Sequence, residues 1–174
     1  MLNKNVLIKG VTNLTEARYC AGMGVQFLCF EQTKSDENYL EPGKVLEIVQ
    51  WITGPAVGLR FASMQEDMLE TIEKINPDFL ILTEETKHLQ VNLKVFLETN
   101  HPLEGSSFDI ISKNIDIIKE KESGFYDCGM SPENFDIALQ EEELSGILLT
   151  GEKELRPGYI SSELLMDFLE KMES

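Results

Sequence analysis

The chain has 174 residues, 42% of them hydrophobic and 26% charged, with 31 acidic against 15 basic side chains and a net charge of −16. This is globular composition, which excludes a disordered or collagen-like chain, and the length suits one domain, residues 1–174, with a proper core. The negative field disfavours nucleic acid and anionic membrane surfaces as partners, and no apolar run reaches the ~18–20 residues of a membrane span.

Short apolar runs alternate with longer amphipathic ones, the pattern of βα units around a parallel sheet. Val6–Lys9 reads as the first strand, and Asn13 or Thr15 caps a helix over Thr15–Gly24. Val25–Phe30 is the second strand, followed by a polar loop and a helix at Pro42–Ile52 with proline in its first turn. Pro55–Phe61 is the third strand. Ser63 is expected to cap a helix carrying Met68, Leu69, Ile72 and Ile75 at helical spacing, which Pro77 stops.

Asp78–Leu82 and Val91–Leu97 read as strands separated only by a short helical piece, Thr86–Gln90. Ser107 or Asp109 opens a predicted helix to about Lys121, with Ile111, Ile115 and Ile118 facing inward. Phe125–Cys128 is the next strand, and Ser131-Pro132-Glu133 supplies a cap, a first-turn proline and an acidic first turn. Gly146–Thr150 is the last strand and Ser162–Met172 the closing helix.

Seven strands are visible where eight close a regular (β/α) barrel. The sequence therefore predicts an α/β, TIM-like (β/α) barrel with one βα unit reduced or missing between Leu82 and Phe125. An open doubly wound sheet is the runner-up. An incomplete barrel would expose strand edges, so a homodimer is expected to cover them.

Several segments resemble phosphoribosylanthranilate isomerases. Ile8-Lys9-Gly10-Val11-Thr12-Asn13-Leu14 is similar to that family's K-I-C-G-I-T-N segment, and Lys34-Ser35-Asp36-Glu37-Asn38-Tyr39 stands at its K-S-P-R-Y. Val57-Gly58-Leu59-Arg60-Phe61 stands for V-G-V-F-V, and Gly105-Ser106-Ser107-Phe108-Asp109 for G-x-G-K-T-F-D-W. Cys128-Gly129-Met130-Ser131-Pro132-Glu133-Asn134 matches G-G-L-x-P-E-N, while Thr150-Gly151 and Arg156-Pro157-Gly158 resemble the family's end. The matches run in order along nearly the whole chain.

The resemblance implies an Amadori rearrangement of a phosphorylated aminosugar in tryptophan biosynthesis. That reaction needs a general acid to open the ribose ring and a general base to take a carbon-bound proton. Carried over, the base position is Lys9, where the family has cysteine, and the acid position aligns best with Glu98. Asn38 replaces the arginine that holds the anthranilate carboxylate. Phosphate binding rests more on backbone, so Gly129, Met130, Thr150 and Gly151 are the expected phosphate-binding positions, using loop amides and a helix N-terminus.

Two readings follow. In one, the chain has lost the isomerase activity and retains at most a phosphate or metabolite site, with Lys9 and Glu98 forming an ion pair that keeps the lysine protonated. In the other, Lys9 and Glu98 act as acid and base of an active isomerase. Cys20, Cys29 and Cys128 form no CxxC pair and read as core residues, and His88 and His101 stand apart from other ligands, so neither a disulfide framework nor a metal nor a cofactor is expected. The N-terminus lacks a long apolar signal region, and a cytoplasmic location is the expectation.

Overall fold

Eight short strands carry the architecture: β1 (Asn5–Lys9), β2 (Phe27–Glu31), β3 (Ala56–Phe61), β4 (Phe79–Thr83), β5 (Lys94–Glu98), β6 (Asp109–Ser112), β7 (Gly124–Gly129) and β8 (Gly146–Thr150). Their near-continuous apolar character is that of strands buried on both faces. The computed structural model describes residues 1–102, 108–121, 123–156, 159–160 and 163–173. The eight strands pair in parallel in chain order and close into a barrel, with Asn5–Lys9 in register against Gly146–Thr150.

Around it lie α1 (Leu14–Gly22), α2 (Pro42–Val49), α3 (Met68–Ile75), α4 (Ile115–Lys119), α5 (Pro132–Gln140) and α6 (Glu163–Met172), with a small antiparallel pair, β9 (Glu154–Arg156) and β10 (Tyr159–Ile160), before α6. Asn13 is the cap of α1, its side chain accepting the Glu16 N–H at 2.8 Å, and Ser131 caps α5 through the Asn134 N–H at 3.3 Å. α3 ends at Asn76, whose left-handed backbone (φ 53°) sends its N–H to Ile72 O just ahead of Pro77.

Alternation divides the core into two parts. Leu7, Cys29, Phe79, Ile81, Phe96, Ile111, Phe125 and Leu148 fill the barrel interior, while outward residues such as Val6, Ile8, Leu28, Leu59 and Leu80 pack beneath the helices. Low in the barrel, Phe27, Phe79, Phe96 and Phe125 meet edge to face with centroids 5.3–5.8 Å apart. Gly58 makes room for this layer, because a β-carbon there would lie 2.2 Å from Cε2 and Cζ of the Phe79 ring. Gly58→Ala is expected to cost about 1–3 kcal/mol by overpacking, read as a lowered denaturation midpoint, with Phe79→Leu recovering part of the loss.

The structure corrects the count of seven strands and the gap drawn from it. The stretch assigned to a helix from Asp109 to Lys121 is β6 followed by the five-residue α4, with Asn114 as cap accepting the Asp116 N–H. Ile111, Ile115 and Ile118 do recur at helical spacing, but Asp109–Ser112 finds partners on both sides, Phe96–Glu98 and Gly124–Tyr126, and two ladders outweigh local periodicity. Closure rules out the open doubly wound sheet, and no barrel strand lacks a neighbour, so the exposed-edge reason for a dimer falls away.

Smaller differences lie nearby. Residues 84–93 cross from β4 to β5 by turns and not by a helix at Thr86–Gln90; the buried Thr86 hydroxyl donates to Phe61 O at 2.7 Å and accepts the Thr83 N–H at 2.9 Å. Ser63 does not start α3, which begins after Asp67. The Gly105–Ser107, Pro157–Gly158 and Ser161–Ser162 positions lie outside the described residues.

Candidate functional site

In barrels of this kind the C-terminal ends of the strands form the mouth that carries chemistry. Inward positions recur two residues apart, so the next inward residue above the apolar interior is Lys9 on β1, Glu31 on β2, Arg60 on β3, Thr83 on β4, Glu98 on β5, Asp127 on β7 and Thr150 on β8. Five of these are charged, and closure of the barrel makes them converge.

They form one connected network. Lys9 Nζ donates to Glu98 Oε1 at 3.2 Å and to Asp127 Oδ2 at 3.3 Å. Arg60 grips the same Glu98 with Nε (3.0 and 3.1 Å) and Nη2 (2.8 Å), and its Nη1 reaches Glu31 Oε2 at 2.6 Å. The remaining carboxylate oxygens are held by backbone: Glu31 Oε1 accepts the Thr33 N–H at 2.7 Å and Asp127 Oδ1 the Gly129 N–H at 2.9 Å. Over this floor lies a cavity of about 280 Å³ walled by Thr83, Thr99, Asn100, Ser112 and Lys113.

The electrostatics follow from the contacts. Burial pulls the Lys9 pKa down, but Glu98 and Asp127 together outweigh it, and the ammonium ends above its ordinary value. Burial pushes Glu98 up, yet hydrogen bonds from Arg60 and the charge of Lys9 outweigh that, leaving its carboxyl below the usual range. Arg60, also buried, is raised by the same carboxylates. The contacts therefore favour Lys9 and Arg60 as cations and Glu98 as a carboxylate.

The thiols are poor nucleophiles in these surroundings. Cys128 lies buried on the outer side of β7, with its Sγ 3.8 Å from Tyr126 O and Asn134 O, and burial pushes its pKa up to about 12. Cys29, inside the barrel, is raised by burial as well.

The expected phosphate-binding positions sit at the mouth, but several of their amides have acceptors within the chain. Gly129 N–H donates to Asp127, Gly151 N–H donates to Lys9 O at 2.6 Å, and the neighbouring Glu152 N–H donates to Glu16 Oε2 at 2.8 Å. Met130 packs against the outer core, and Thr150 pairs in register with Lys9. Asn38 leans over Gly10, its Nδ2 3.0 Å from where a Gly10 β-carbon would stand.

The sequence reasoning brought Lys9 and Glu98 together and missed Glu31, Arg60, Asp127 and Glu16. The available signal was parity: Glu31, Arg60 and Asp127 are charged residues two places beyond Cys29, Gly58 and Phe125, each the inward residue before it. For Glu16 the signal was helical spacing, since it shares the buried face of α1 with Ala17 and Cys20.

No family model matches the sequence, and no curated protein matches it. Solved structures do. Monomers of the dimeric phosphoribosylanthranilate isomerase from Thermotoga maritima superpose with a TM-score of 0.73 at 16% identity, covering 97% of this chain and 99% of that one. A phosphoribosylanthranilate isomerase in complex with reduced 1-(o-carboxyphenylamino)-1-deoxyribulose 5-phosphate gives 0.78 at 16% identity, over 96% and 97%. The N-(5′-phosphoribosyl)anthranilate isomerase from Pyrococcus furiosus gives 0.72 at 11% identity, over 98% of each chain. Almost end to end, this chain has the fold of the phosphoribosylanthranilate isomerases.

Proposed function

We propose that this chain is a non-catalytic barrel of the phosphoribosylanthranilate isomerase fold, its mouth closed by an ion network in place of an acid–base pair. The observation that carries the reading is Lys9, placed between Glu98 and Asp127 at 3.2 and 3.3 Å. A general base needs a free lone pair, and an ammonium held by two carboxylates has none. Glu98, at the position of the acid, is held ionised by Arg60 and Lys9 and has no proton to give, so neither residue is in the state its carried-over role needs. What binding remains belongs to the 280 Å³ polar cavity above the network. A phosphate at the β7 and β8 loops would compete with Asp127, Lys9 O and Glu16 for their amides.

The test is turnover. Purified protein is expected to leave phosphoribosyl anthranilate unconverted and to fail to rescue a tryptophan auxotroph lacking the isomerase. Rescue by the wild type, lost in Lys9→Ala, would overturn the proposal. Independently, the Lys9 side-chain resonance is expected to titrate above the ~10.4 of a free lysine; a midpoint near neutrality would restore the lysine as a base.

The likeness to a dimeric enzyme supports a homodimer. Light scattering is expected to give twice the 19.7 kDa chain mass, and a single-chain mass at high concentration would end that part of the proposal.

A further inference from the structure

Glu16 is 2% exposed, on the first turn of α1, and takes no part in the network at the mouth. One carboxyl oxygen, Oε2, accepts the Glu152 N–H at 2.8 Å. The other, Oε1, is buried without a hydrogen-bond partner. It points at a crowded place: a β-carbon on Gly151 would lie 2.5 Å from Glu16 Oε1 and 2.9 Å from Gly10 O. Two acceptor oxygens therefore crowd the same glycine in a place closed to water. A carboxylate and a carbonyl repel there, whereas a carboxylic acid can donate its hydrogen to the carbonyl.

We propose that the Glu16 carboxyl is a proton-operated latch between the loop after β1 and the loop after β8: protonated, it bridges Gly10 O to the Glu152 N–H and holds the loops together; ionised, it lets them part. Among the described residues these loops are also tied by Gly151 N–H to Lys9 O at 2.6 Å and the Thr12 hydroxyl to Glu152 O at 3.4 Å. The Glu152 carboxyl is held separately, by the Leu165 backbone N–H of α6.

The surrounding charges keep the proton in place. Burial is the main cause pushing Glu16 up, to about 7, and the Glu152 carboxylate across from it adds to this against the opposing backbone hydrogen bond. Along α1, the Cys20 thiol is itself raised by burial and by Glu16 and stays neutral. At the start of α6, Glu163 acts on Glu152 and reinforces the negative surroundings. The ammonium of Lys9, whose carbonyl lies in the same loop, is committed to Glu98 and Asp127. The device works whether or not the mouth turns over a substrate.

The experiment is a pH series from 5.5 to 8.5 on the full chain by NMR, following the Glu16 carboxyl carbon and the exchange protection of the Gly151 and Glu152 amides. The carboxyl is expected to titrate near 7, and protection of the Glu152 amide to fall at least tenfold across that midpoint. Glu16→Gln, whose side-chain amide donates to Gly10 O at every pH, is expected to keep its protection throughout. A carboxyl midpoint in the ordinary glutamate range overturns the latch, as does equal loss of protection in wild type and Glu16→Gln. A midpoint that changes when sodium replaces potassium overturns it in favour of a bound cation. If Glu16→Gln fails to fold, the wild-type carboxyl titration decides by itself.

Discussion

Arg60→Met is expected to destabilise the protein by about 3–5 kcal/mol, the usual cost of removing one partner from a buried ion pair. Among the described residues the guanidinium is the one group holding Glu31 Oε2, and it supplies three of the four contacts on Glu98; the side chains of Glu31 and Glu98 are 3% and 17% exposed. Without it, Glu98 keeps only Lys9 and Glu31 only the Thr33 N–H among the described residues, and the nearly buried Glu31 charge is left short of hydration.

Urea titration is the measurement, with the loss read as a lower midpoint at unchanged slope. A second substitution, Glu98→Gln, removes one stranded charge and is expected to recover part of the loss in the Arg60→Met background, while destabilising the wild type. A loss under about 1 kcal/mol in Arg60→Met would mean that the network is solvated and energetically idle, as exposed ion pairs are.

Stability is expected to fall as pH rises from about 4.5 to about 7, by about 3 kcal/mol from Glu16 alone. The sign follows from proton counting. The folded chain keeps the Glu16 proton up to about 7, whereas the unfolded chain releases it at the ordinary carboxyl value. Between those values the native state binds more protons, so each step upward in pH favours unfolding. The contribution is complete below the unfolded pKa and lost by the folded one.

Glu152, also raised by burial, adds to the same decline, whereas the windows of the network at the mouth lie elsewhere. Glu98, held below its ordinary value, contributes stability above that value and loses it only as pH falls further. Lys9, held above its own, loses its contribution only in strong alkali. Denaturation at pH 5, 6, 7 and 8 should therefore show a decline in wild type that flattens in Glu16→Gln, with the variant the more stable protein at pH 8. Parallel curves for the two proteins would place the decline elsewhere.

Much of this protein is determined by sequence alone, wherever a local rule has one solution. Asn13 and Ser131 are caps because a short polar side chain ahead of an amphipathic run has few better uses. Apolar runs such as Phe79–Leu82 and Gly146–Leu149 are strands because they are too short and too uniformly buried for a surface helix. The facing of Lys9 and Glu98 was also legible, through collinear resemblance to a known barrel.

Tertiary structure decided what local rules leave degenerate. Asp109–Ser112 is four residues long, and its isoleucines fit a helix as well as a strand; only the ladders on either side select the strand and so complete the eightfold closure. Closure in turn brings Glu31, Arg60 and Asp127 onto Lys9 and Glu98, residues up to 118 positions apart. It also presses Gly151 and Gly10 against a carboxyl on α1. Alternation along a strand says which side chains point inward, but the contacts among them depend on barrel curvature and register, and those arise only when every strand has found both neighbours.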